Sequence, residues 1–293
     1  MFAGMPFELH VALACLLGLL TGSFLNVVIY RLPKMMEAQW AAERAEFAHE
    51  TTGSMLQTAT SMATPEKFNL LVPRSRCSSC GHVIAWYENI PVFSYLFLRG
   101  KCSACSAPYG LRYPAIELTT GLLFGFCIWR WGWSVTAMLW CGYCAALLAL
   151  AAIDWDTTLL PDDINLPLLW AGLIAAALQW NPDVSLPDAL WGAVAGYMSL
   201  WLVYWAFKLV TGKEGMGYGD FKLFAALGAW FGWTALVPII LMASVIGAVI
   251  GLVMKFSSGL REGGYIPFGP FLAGAGFTAM VFGPQSILRF VGL

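Results

Sequence analysis

Two acidic stretches hold the residues best placed to do chemistry. One is Gly217-Tyr218-Gly219-Asp220, inside the run from Lys213 to Lys222, between two apolar segments. The other runs from Ile153-Asp154 through Asp156 to Asp162-Asp163, and it also follows an apolar run. Only 11% of the chain is charged, so a carboxylate at the mouth of an apolar segment is costly and points to function. Two carboxylates within hydrogen-bond reach do not both ionise readily, so one keeps its proton. The ionised one can take a proton from water while the protonated one polarises a peptide carbonyl, which is hydrolysis without metal or covalent intermediate. The expectation is that the fold brings Asp154 and Asp220 together. Asp220 should open a helix whose N-terminal dipole favours its charged form. The plainer roles are a cap for Asp220, interface solvation for Asp154, and N-capping after Pro161 for Asp162 or Asp163. Gly215, Gly217 and Gly219 permit a tight or left-handed backbone and the close approach of another segment.

A second set is made of thiols. Cys77-Ser78-Ser79-Cys80 and Cys102-Ser103-Ala104-Cys105 are two CxxC knuckles with 21 residues between them. Four thiolates in this pattern suit a tetrahedral structural zinc site, which leaves no open position for catalysis. Two disulfides or free thiols are the alternative, and a reducing cytoplasm disfavours the disulfides. A loop this small buries little core, so a metal would supply much of its folding energy. Cys141-Gly142-Tyr143-Cys144 lies within an apolar run and reads as packing, as do Cys15 and Cys127. His10, His49 and His82 are isolated in sequence, none with a second imidazole at ligand spacing, although His82 is close enough to Cys80 to replace a thiol.

The elements that must position these residues are apolar. The 293-residue chain is 59% hydrophobic, far above a soluble domain. Its net charge of -1 gives no sign of nucleic-acid binding. Apolar runs at about 11–30, 115–133, 137–153, 164–180, 188–209, 221–234, 236–254 and 267–283 suggest an all-α polytopic membrane protein. About eight transmembrane helices are expected, with a cytoplasmic metal-binding loop domain after the first. No Lys or Arg precedes Arg31, so the first run reads as a permanent span and not as a cleaved signal. Pro33 should end that helix, Ala38–Glu50 should form a short solvated helix, and Thr51–Thr64 should be a loop. Asn26 should make an interhelical hydrogen bond, with a direct substrate contact as the alternative. The domain expectation is 1–31 for the first span, 32–113 for the cytoplasmic loop, and 114–293 for the bundle carrying the aspartates. Of 16 Lys and Arg, nine fall in 31–113, which puts that loop in the cytoplasm. Counting crossings from there returns both Asp154 and Gly217–Asp220 to the cytoplasmic face.

Taken in order, several strings resemble the type IV prepilin peptidases, the leader peptidase/N-methyltransferases of the GxGD aspartic protease class. They are Gly22 to Pro33, Arg74 to Cys80, Tyr113-Pro114-Ala115-Ile116-Glu117, Ile153-Asp154, Leu160-Pro161-Asp162, Gly217 to Lys222, and Ile266-Pro267-Phe268-Gly269-Pro270. The resemblance covers nearly the whole chain. It implies a bacterial inner-membrane aspartic endopeptidase that cuts prepilins and type II secretion pseudopilins after the Gly ending a basic leader, at the cytoplasmic face. It implies Asp154 and Asp220 as the catalytic pair and Cys77, Cys80, Cys102 and Cys105 as metal ligands. It further implies N-methylation of the new N-terminus from S-adenosylmethionine. No GxGxxG string marks a site for that donor, so its residues are unknown, and Glu117 and Lys222 are the polar residues to consider. Lys222 snorkelling to the interface and Glu117 pairing with an Arg such as Arg112 are the ordinary roles for them. The competing readings are an ion-coupled transporter using the acidic residues and a non-catalytic assembly scaffold. Membrane lipid and pilin precursors are the expected partners. The residues leave oligomeric state open.

Overall fold

The computed structural model describes residues 6–52, 68–256 and 266–291. Among them there is no named strand, and the elements are helices α1 (Phe7–Thr52), α2 (Phe93–Phe97), α3 (Arg112–Trp131), α4 (Val135–Thr157), α5 (Asp162–Ala177), α6 (Leu186–Thr211), α7 (Tyr218–Phe231), α8 (Leu236–Phe256), α9 (Gly269–Phe282) and α10 (Pro284–Val291). Four helical stretches, Phe7–Phe47, Val135–Thr157, Leu186–Thr211 and Trp233–Phe256, are long and apolar enough to cross a membrane, and Gly269–Phe282 is a shorter apolar helix. The chain is therefore all-helical, with helices that suit a multi-pass membrane protein.

Two boundaries differ from expectation. Pro33 does not end the first helix, because α1 runs unbroken from Phe7 to Thr52 with Pro33 inside it. A proline removes one backbone hydrogen bond, and the run of Met, Glu, Ala and Gln that follows favours helix strongly enough to carry it on. Ala38–Glu50 is accordingly the end of α1 and not a separate helix. The expected loop Thr51–Thr64 begins as helix, and 53–64 lie outside the described residues. The break between the last two central runs falls at Gly232, whose φ of +80° is left-handed and stops α7 before a short 3₁₀ turn at Trp233–Ala235.

Contacts divide the chain into two compact units, Cys15–Leu122 and a second formed by Met1–Ala14 with Leu123–Leu293. In the larger unit α7 is the central element. It packs on α6 and α5, while α9 packs on α4 and α8. From Asp220 to Trp230 every residue of α7 except Lys222 is buried. Small residues make this possible. A Cβ on either Gly192 of α6 or Gly228 of α7 would collide with the other's backbone carbonyl, so the two helices touch main chain to main chain. Gly172 of α5 leaves room for Trp230, whose indole N–H donates to Leu168 O at 2.9 Å. In the smaller unit Asn26 donates to Tyr113 O at 3.1 Å, the interhelical bond expected of it, and Gly22 of α1 lies directly on the backbone of Glu117 in α3.

Candidate active site and metal centre

Asp154 sits in the last turn of α4, which closes when Thr158, at φ +57°, donates its N–H to Asp154 O at 2.8 Å. A carboxylate near a helix C-terminus faces the unfavourable end of the dipole. Compensation comes from elsewhere: Gly269, the first residue of α9, donates its N–H to Asp154 Oδ2 at 2.9 Å. Asp154 thus fills the cap position that Phe268 leaves empty at the start of α9. Only glycine fits there, since a Cβ on residue 269 would lie 2.6 Å from Asp154 Oδ2. No individual role for this glycine was legible from residue types alone, although Pro267 and Pro270 around it are a helix-start signal.

Asp220 is in the first turn of α7, after Gly217 as N-cap, and Gly217 N–H donates back to its carboxylate. The side chain is buried, its Oδ1 has no hydrogen-bond partner, and the charge of Asp154 acts on it directly. The two aspartates, 66 positions apart, are therefore electrostatic neighbours. None of Gly215, Gly217 and Gly219 has a positive φ, and the left-handed turn is made by Gly212 at +70°. Close approach is what Gly219 provides, since a Cβ there would lie 2.6 Å from Leu160 Cβ. Asp162 does not cap α5, whose N-cap is Pro161. Instead both its carboxylate oxygens accept from Lys222 Nζ at 2.7 Å, so Lys222 is engaged in an ion pair and does not simply snorkel. Asn165, fully buried and absent from the sequence-based candidates, donates to Gly219 O at 3.1 Å and fixes the backbone just before Asp220.

The four cysteines of the knuckles converge in the smaller unit. Their sulfurs all lie within 4.8 Å of one another, with Cys77 Sγ to Cys105 Sγ at 3.8 Å and Cys80 Sγ to Cys102 Sγ at 4.0 Å. A tetrahedral S₄ site with Zn–S of about 2.3 Å requires sulfurs about 3.8 Å apart, so the set fits a metal of that kind. The knuckles are built alike: Cys77 and Cys102 donate to His82 O and Ala107 O, and Gly81 and Ser106 turn left-handed at φ +73° and +59°. Backbone N–H groups of Cys80 and Ser79 hold the Cys77 thiol below its ordinary range, and those of Cys105 and Ala104 bring Cys102 down to about 6. Against the pull of the Ala107 N–H, the thiols of Cys80, Cys102 and Cys77 push Cys105 the other way, up to about 12, so the set shares protons that a bound metal would replace. His82 faces Glu88 at 3.3 Å and Ser103 at 3.4 Å. Cys144 donates to Met280 Sδ at 3.5 Å in the core, in keeping with a packing role.

The two knuckles, each closed by one bridge, Arg76–Val83 and Lys101–Pro108, form a ribbon, and beside it is a cavity of about 440 Å³, lined among others by Tyr30, Glu88, Tyr95, Tyr109, Tyr113 and Glu117. Glu117 is buried and accepts from Val92 N–H at 2.8 Å. Arg31, also on the lining, is buried and spends its guanidinium on the carbonyls of Asn69, Leu70 and Pro73.

Residues 16–131 match the Bacterial Peptidase A24 N-terminal domain, and residues 141–252 match the Type IV leader peptidase family. The chain belongs to the type IV leader peptidase family. It is 52% identical to the prepilin leader peptidase/N-methyltransferase of Stutzerimonas stutzeri, over 97% of this chain and 95% of that one. It is 53% identical to the protein of that name in Pseudomonas aeruginosa, over 94% and 93% of the two chains. The one from Burkholderia pseudomallei is 49% identical over 99% and 91%. No solved structure matches the chain.

Proposed function

We propose that this chain is an aspartic endopeptidase of the bacterial inner membrane that removes the basic leader of prepilins and type II secretion pseudopilins after a glycine. The observation carrying the proposal is the pairing of two buried aspartates across α4 and α7, at the starts of α9 and α7. In this reading the unpartnered Oδ1 of Asp220 carries the shared proton, and Asp154, supported by Gly269 N–H, carries the charge. That reverses the assignment expected from the α7 dipole alone, because α9 offers Asp154 a helix N-terminus as well. Asp154 takes a proton from water, the hydroxide adds to the peptide carbonyl, and Asp220 protonates the carbonyl oxygen. The C–N bond then breaks, Asp154 gives its proton to the departing amine, and one hydroxyl of the diol returns a proton to Asp220, which leaves the carboxylic acid and restores the pair.

The eight-span topology, the cytoplasmic position of the aspartates, and the division into 1–31, 32–113 and 114–293 belong to the same proposal. They are supported by the Lys and Arg excess of 31–113 and by a substrate whose apolar helix lies in the bilayer while its basic leader stays in the cytoplasm.

The names of the relatives support a second activity, N-methylation of the new N-terminus. We place S-adenosylmethionine in the cavity of the smaller unit. Its size is in the range of cofactor sites, and it offers tyrosine rings and two carboxylates, the chemistry that holds a sulfonium cation. When bound, the donor supplies an electrophilic methyl group. Glu117 would hold the incoming amine and take its proton, and Tyr109, in contact with Cys102, would tie the cavity wall to the ribbon. The ribbon metal is zinc in this reading, with a structural role.

The test is cleavage of a synthetic prepilin by purified protein in detergent. Asp154→Asn and Asp220→Asn should each lower the rate at least about a thousandfold, the upper part of what a positioned acid or base contributes. Leader removal persisting in both variants would sink the peptidase reading.

A further inference from the structure

Leu160 stands where the backbones flanking both aspartates converge. A Cβ on Gly219 would lie 3.2 Å from Leu160 Cδ1, and a Cβ on Gly269 would lie 3.2 Å from Leu160 Cδ2. One methyl therefore reaches the residue before Asp220, and the other reaches the residue whose N–H binds Asp154. The side chain packs against the core and is partly exposed, so one part of it is left open beside the pair. The chain on either side of it is held in place. Thr158 closes α4 two residues earlier, Pro161 caps α5, Asp162 is locked to Lys222 at 2.7 Å, and Asn165 holds Gly219 O at 3.1 Å.

We infer that Leu160 sets the size limit at the point of cleavage. A peptide whose carbonyl is presented to Asp154 and Asp220 must lay the residue bearing that carbonyl against this branched side chain. A Cβ on Gly219 or on Gly269 would crowd Leu160, so both neighbours fit there as glycines. A substrate residue entering the same crowded space is accommodated when it too is glycine. The inference rests on the peptidase reading and deepens it, giving Leu160 a specificity role and leaving the chemistry to the aspartates.

Two synthetic precursors that differ only in Gly or Ala before the scissile bond test it, with full-length protein in detergent and kcat/KM as the readout. Wild type should favour the glycine precursor at least about tenfold, the scale on which a pocket senses one carbon. Leu160→Ala should move the ratio toward the alanine precursor by a similar factor, and Leu160→Val by less. A wild type that cuts both precursors equally overturns the inference. So does an unchanged ratio in variants that still cut, or a loss of all cleavage in variants that keep the wild-type melting temperature. Wild type cutting neither precursor would instead bring down the peptidase reading itself.

Discussion

Around Asp220 the chain is buried and tightly packed, and around the cysteines it is open. Along α7 all residues from Asp220 to Trp230 but one are buried, whereas Cys80 and Cys105 are exposed and the ribbon has two isolated bridges, Arg76–Val83 and Lys101–Pro108, as its only strand-like pairing among the described residues. The aspartates are positioned by helix ends packed closely through glycines, Gly219 against Leu160 and Gly269 against Asp154. The thiols are positioned by knuckle turns, which on the proposed reading a metal ties together. A site held by packing tolerates no added atom, and a site held by a metal tolerates no missing ligand. The two kinds of failure should therefore be separable by experiment.

The largest effect expected is on the metal-held side. A Cys77→Ser/Cys102→Ser double variant should lose roughly one zinc per chain by elemental analysis, because each serine removes a thiolate ligand. Residues 68–111 should become open to protease while α4–α9 stay resistant. Protein purified without chelators and found free of metal would break the comparison. Next is Glu117→Gln, expected to slow transfer of a labelled methyl group from S-adenosylmethionine by about a hundredfold, with leader cleavage still proceeding. Equal loss of both activities would mean that the cavity is not a separate station.

On the packed side, Gly228→Ala should cost at least about 1–3 kcal/mol, read as a lower melting temperature in detergent, since the new methyl has only Gly192 backbone to meet. A variant that melts like wild type would show that α6 and α7 are less tightly joined than described. The smallest effect belongs to Glu214→Gln. Lys208 donates to Glu214 at 2.9 Å and holds its carboxyl below the usual range, but the pair is exposed and such pairs contribute little. Its contribution is present at neutral pH and fades as pH falls through the lowered value. The small difference in melting temperature between variant and wild type should therefore shrink in acid, and a difference that grows there would contradict the pairing.

Much of this was legible in the sequence for simple reasons. A 59% hydrophobic composition with punctuated apolar runs dictates membrane helices. CxxC twice in a short polar stretch dictates four convergent thiols, because each knuckle is a local turn that aims its own pair. Scarce carboxylates at the ends of apolar runs mark themselves out. Helix continuity through Pro33 was harder to read, since one lost hydrogen bond competes with the propensity of a dozen later residues, and the balance is not visible at the proline itself.

What tertiary structure alone decided is the company each residue keeps. Gly269 N–H on Asp154, Leu160 wedged against two glycines, Lys222 taken up by Asp162, and Asn165 on Gly219 O all join positions from 50 to more than 100 residues apart. Periodicity fixes which face of a helix is apolar, but not which neighbour arrives there. That choice is made when backbones close to contact distance at Gly192 and Gly228, and every polar group caught inside must then find its partner.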